Sequence, residues 1–186
     1  MPTTSPPARY TRVAQWLHWI IAALIVVQLA LAWVADDLPN GARKLHVLGR
    51  HKSFGMTVLM LTIVRLLWRL RHTPPELPAG MKPIERQLAR TTHRLFYVLL
   101  LAQPLTGWLM SSAKNYSVSW FGLFTWPDLI APNKAAFEIL KTTHDLMGNA
   151  LFAVIVVHVL AAFKHHLIDN DDVLTRMLPF ARSERR

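Results

Sequence analysis

The sequence predicts an all-α integral membrane protein, a four-helix bundle, and three observations carry that prediction. Four apolar stretches each approach the roughly 20 residues that cross a bilayer. The chain is 52% hydrophobic yet carries a formal charge of +10, with a mean hydropathy of +0.24. That pairing suits apolar spans joined by basic loops better than a small soluble domain. Finally, histidines recur within and beside those stretches. Imidazole in a spanning helix is rare unless it faces the bundle interior or a functional site.

At 186 residues the chain is one domain by length. Residues 1–9, MPTTSPPAR, read as a disordered tail. Residues 10–179 read as a single transmembrane domain and 180–186 as a basic tail. The first span covers about 13–34. Ala30-Leu31-Ala32 resembles a signal-peptide cleavage site, but the apolar run is long and carries Gln15, His18 and Gln28, so a retained span is expected. A polar loop over 36–50 holds Asp36, Asp37, Pro39 and Gly41. The second span, 51–70, is interrupted by Arg65 and followed by a linker whose prolines break helix at its start. The third, 93–112, contains Pro104 and Gly107, both tolerated in membrane helices. Residues 113–141 form a longer loop whose centre, SWFGLFTWPDL, has the composition of a segment at the membrane interface. The fourth span is 142–166, and no internal repeat or low-complexity tract is evident.

The absence of cysteine excludes disulfides, thiolate metal sites and iron–sulfur clusters. Nucleic-acid binding is not expected, because the basic residues lie between apolar segments instead of on one polar face. Counting Lys and Arg gives thirteen on the N-terminus, the 69–94 linker and the tail, against seven on the other two loops. The positive-inside tendency then places both termini in the cytoplasm.

The fourth span is the organising element. His144 and His158 are fourteen residues apart in TTHDLMGNALFAVIVVHVLAAFKHH. That spacing returns an α-helix to nearly the same face about 21 Å further along. The orientation puts His18 and His158 at an inner level and His51 and His144 at an outer one, each pair drawn from two helices. Two opposed imidazoles in an apolar setting suit haem iron, whereas zinc wants four ligands. Without CxxCH any haem is non-covalent, of b type. His46 is the rival of His51 but is expected in the loop; His93 opens the third span, and His72 is expected to be solvated in the linker. Arg65 lies fourteen residues after His51, on its face but at the inner level. Its guanidinium either meets a haem propionate or snorkels beside Arg69 and Arg71. Trp16, Trp19, Trp33, Trp68 and Trp108 fall toward span ends, as an aromatic belt does.

Over residues 9–179 the sequence resembles the prokaryotic cytochrome b561 family. The resemblance rests on LHWII at 17–21, HKSFG at 51–55, RLLWRL at 65–70 with PPELP after it, GWLMSSA at 107–113, and HVLAAFKHHLIDNDDVLTRMLP at 158–179. It implies a four-helix cytochrome with two haem b groups, ligated by His18, His51, His144 and His158. It also implies electron transfer across the inner membrane, either as a superoxide oxidase that reduces ubiquinone or as a quinone-linked carrier. Related subunits anchor dehydrogenases or hydrogenases, so the alternative expectation is an electron-relay subunit; a partner protein is not required. Two local features fit the first version. Arg43, Lys44, Arg50, Lys52, Lys114, Lys134 and Lys141 would attract superoxide, or another small periplasmic donor, to the outer level. Lys164, His165 and His166, at the inner end of the fourth span, are the candidate ubiquinone site.

Overall fold

A computed structural model describes residues 9–78 and 80–180. The expected tails, apart from Arg9 and Phe180, lie outside the described residues. Four helices carry the fold: α1 Arg12–Asp37, α2 Ala42–Arg71, α3 Pro83–Ala113 and α4 Lys134–Leu167. All four are long and apolar enough to cross a membrane. Three of them begin some eight to ten residues before the expected spans (α2, α3 and α4). Hydropathy marks only the lipid-crossing part, whereas the backbone runs on through polar turns until a start signal is met. Those signals are local. Thr11 and Asn133 cap α1 and α4 by accepting from Ala14 N and Ala136 N, and Pro83 opens α3 at a position where its missing N–H costs nothing. One consequence corrects the loop expected around His46, which instead lies exposed inside α2.

α1 packs against α2, α3 against α4, and α2 against α3. The backbones of α1 and α4 stay apart, yet all four helices send side chains to a small core of Ile21, Val58, Leu99, Leu100 and Leu151. Val26, Val157, Leu160 and Phe163 remain exposed. In a bilayer those faces meet acyl chains, so burial against protein is not required of them.

The aromatic loop after α3 is a small antiparallel hairpin, β1 Val118–Trp120 and β2 Phe124–Trp126, paired from Val118↔Trp126 to Trp120↔Phe124. Phe121 and Gly122 turn it with φ of 52° and 78°. Ser53 pins it to α2: its hydroxyl bonds the Ser119 carbonyl (2.9 Å) and accepts from Phe121 N (3.0 Å). The Trp120 indole donates to Thr57 (3.0 Å). Val118, with Trp108, Trp120 and Trp126, packs onto Met56 and Leu59.

At the opposite end the segment after α4 folds back on α1. Arg9 donates to the Thr175 and Leu178 carbonyls (3.0 and 2.6 Å), Gln15 to Arg176 (2.9 Å) and Trp19 to Met177 (2.9 Å). The two ends of the bundle are called here the terminal end and the hairpin end.

Candidate functional site

At the hairpin end, His51 of α2 and His144 of α4 face each other with ring centroids 6.3 Å apart at 76°. At the terminal end, His18 of α1 and His158 of α4 do the same, at 6.3 Å and 72°. Two metal–imidazole bonds of about 2.0 Å, plus half of each ring, add to roughly 6 Å. The gap therefore fits a single iron centred between two imidazoles. A haem fits on that ground, and further observations support the fit.

The surroundings of His144 fix which nitrogen faces the gap. Thr106 gives its hydroxyl proton to the Gln103 carbonyl (2.8 Å), within the turn that Pro104 loosens. Its oxygen lies 3.2 Å from His144 Nδ1 and is left to accept. That arrangement holds Nδ1 as the N–H and leaves Nε2 as the free lone pair, the tautomer a metal ligand needs. The Gln103 amide also donates to the His144 backbone carbonyl (2.9 Å). Gly107 seats the ring from the other side: a Cβ there would stand 3.0 Å from His144 Cε1. His51 Nδ1 is buried without a hydrogen-bond partner.

Arg65 is half-buried and does not lie free. It donates to the Ala14 carbonyl in the first turn of α1 and faces Tyr97 and Tyr10, with its charge bearing on His18. His93, set aside from the sequence, belongs to this level as well. Its ring centroid is 5.8 Å from that of His158, and Phe96 stacks edge-on at 5.1 Å. The signal that would have found it is an internal repeat, present despite first impressions. Gln28 follows His18 by ten residues as Gln103 follows His93; Gly55 follows His51 by four as Gly148 follows His144. The structure repeats the relation, because Gln28 packs on Gly55 and Gln103 on Gly148. The Oε1 atoms of both glutamines are buried and unpaired. Two helix pairs thus follow one plan, like the parallel repeats of transporters. The plan breaks where Arg65 stands in one half and His158 in the other.

The remaining candidates sit at the ends. Lys164 bridges Glu85 (2.9 Å) and Asp169 (2.6 Å), and His165 lies against Asp171 (2.7 Å) and Asp169 (3.1 Å). His166 is exposed. His72 stacks on Trp68 with centroids 4.0 Å apart. At the hairpin end Lys141 is paired with Asp145 (2.7 Å), while Lys52 and Lys114 both lie over the Tyr116 ring.

Membrane-length helices that bring opposed imidazoles together at two depths are the arrangement expected of a transmembrane electron-transfer cytochrome. Residues 9–180 match the model of the prokaryotic cytochrome b561 family, and the chain belongs to that family, whose members bind b-type haem. It is 32% identical to cytochrome b561 homolog 2 of Escherichia coli (strain K12), covering 99% of this chain and 98% of that one. It is 29% identical to a protein of Yersinia pestis named probable superoxide oxidase CybB (94% and 98% covered). It is 27% identical to cytochrome b562 of Cereibacter sphaeroides (91% and 94%).

Proposed function

We propose that this protein holds two b haems, one between His51 and His144 and one between His18 and His158, and uses them to oxidise superoxide and reduce ubiquinone. The observation that carries the reading is the equal spacing of the two facing imidazole pairs. Bound at both levels, the haems supply a one-electron relay across the bilayer. The overall reaction balances when two superoxide anions leave as dioxygen and one ubiquinone takes up two electrons and two protons.

What the chain contributes is placement, electrostatics and exclusion of water. α4 fixes the separation of the two levels, and the apolar core between them keeps water out. With both termini cytoplasmic, the hairpin end of an inner-membrane protein faces the periplasm and receives superoxide. Its seven cations are offset by Asp36, Asp37, Asp128, Glu138 and Asp145, so the attraction is local. Lys52, adjacent to His51, and Lys114 supply it around Tyr116. At the terminal end Arg65 places a positive charge beside His18, which favours arrival of an electron there. Arg65 is also within the set of residues that would hold that cofactor's anionic edge. Ubiquinone takes its electrons at this end, beside Lys164, His165 and His166. Lys164 and His165 are engaged with carboxylates, so His166 is the group left free to meet a quinone carbonyl.

The test is a superoxide pulse on purified holoprotein, followed by haem absorbance. Haem should be reduced at a rate that falls with ionic strength and falls again in Lys52→Gln/Lys114→Gln. No reduction rejects superoxide as the donor, and a rate indifferent to both rejects Lys52 and Lys114 as the source of the attraction. Replacing His166 by Ala should slow ubiquinone reduction while haem content stays at two per chain; an unchanged rate removes it from the site.

A further inference from the structure

A cleft of about 510 Å³ opens at the terminal end, between the linker after α2 and the first turns of α3. Arg69, Arg86, Arg90 and Arg94 line it, against a single lining carboxylate, Glu76. The last three arginines repeat every four residues and so share one face of α3. None of the four forms an ion pair among the described residues: Arg86 donates to the Pro78 carbonyl (3.3 Å) and Arg69 lies over the Tyr97 ring. The other nearby carboxylates are occupied, Glu85 by Lys164 and Asp172 by Arg176. Four guanidiniums converging on one cavity repel each other unless an anion enters it.

The cleft lies where α2 ends at Arg71 and α3 begins at Pro83, the level at which spanning helices meet lipid headgroups. Tyr10 and Tyr97 line it, as amphipathic rings do at that depth. The same helix that supplies the arginines presents Ile84, Leu88, Leu95 and Val98 to the outside, 63%, 58%, 39% and 61% exposed. A ligand with an anionic head and apolar tails matches both surfaces, whereas a free anion uses only the first.

We propose that this cleft binds the phosphate headgroup of an anionic phospholipid from the leaflet at the terminal end, its acyl chains lying along α3. Basic pockets between spanning helices bind such headgroups elsewhere. The cleft borders the terminal-end level through His93, but neither His18 nor His158 lines it, and the proposal does not depend on which substrate is oxidised.

The test uses purified holoprotein in neutral detergent, titrated with short-chain phosphatidylglycerol, phosphatidylcholine or inorganic phosphate while the thermal midpoint is read. Phosphatidylglycerol should raise the midpoint saturably, and the half-saturating concentration should rise about tenfold or more in Arg86→Gln/Arg90→Gln/Arg94→Gln. The haem content and spectrum of that variant should match those of the parent. Equal protection by phosphatidylcholine or by phosphate alone overturns the proposal. So does loss of haem from the variant, which would assign the arginines to a propionate. If the triple variant does not fold, Arg90→Gln and a salt series on the parent decide. Binding insensitive to both is incompatible with a phosphate held by these arginines.

Discussion

The environment of His144 shows how much a single residue can be asked to do. Its tautomer rests on the Thr106 hydroxyl and its position on the absence of a side chain at Gly107. Thr106→Val keeps the volume but removes the acceptor, so haem at the hairpin end should bind roughly 10–100-fold more weakly, read as haem retained per chain on dilution. Gly107→Ala puts a carbon 3.0 Å from the ring, and should lower haem content at that level while leaving the His18/His158 level loaded. Arg65 invites an electrochemical measurement instead. Removing its charge with Arg65→Gln should lower the potential of one haem by about 60 mV or more, the shift that makes a tenfold change in a one-electron couple. Two unchanged potentials in a redox titration would leave Arg65 a purely structural tie between α2 and α1.

Among the elements, the hairpin depends on one serine. Ser53→Ala removes the bonds to Ser119 and Phe121 together and leaves both backbone groups short of a partner, which should cost about 1–3 kcal/mol. Thermal unfolding and the emission of Trp120 and Trp126 would report it. The end of α4 depends on charge. Lys164 holds the Asp169 carboxyl below its ordinary value, chiefly through their hydrogen bond. A depressed carboxyl stabilises the fold above its unfolded value and ceases to do so as pH falls through the folded one. The turn after α4 should therefore loosen only below about pH 4, seen as faster proteolysis of residues 168–180; loosening already near neutrality would contradict the pairing. Neither element was legible beforehand. Strands of three residues are too short to show alternation. Asp171 comes beside His165 after the chain turns at Asn170, whose φ is 53°, and Glu85 reaches Lys164 from a different helix. The four spans could be read, because apolar runs of that length have few other uses. The shared face of His144 and His158 could be read too, because helical periodicity fixes it regardless of packing.

At the scale of the molecule, the two halves share a plan that spacing of single residues records better than overall similarity. That is why His93, which the sequence places only at the opening of the third span, gains a place at the terminal-end level through its counterpart His18 across the bundle. The hairpin end keeps the two-fold relation, with His51 and His144 as equivalents, while Arg65 and His158 break it at the other end. Only one level is thus electrically lopsided, and the two haems should titrate as separate waves whose gap narrows in Arg65→Gln. The contacts of Arg9, Gln15 and Trp19 with residues 175–178 have a consequence for assembly. They fasten α1 to α4 where the two backbones otherwise stand apart, and residues 175–178 follow the fourth helix out of the ribosome. Until that clasp shuts, the edge between the first and fourth helices of the growing chain lacks these four hydrogen bonds, and closing it is left to the last segment synthesised.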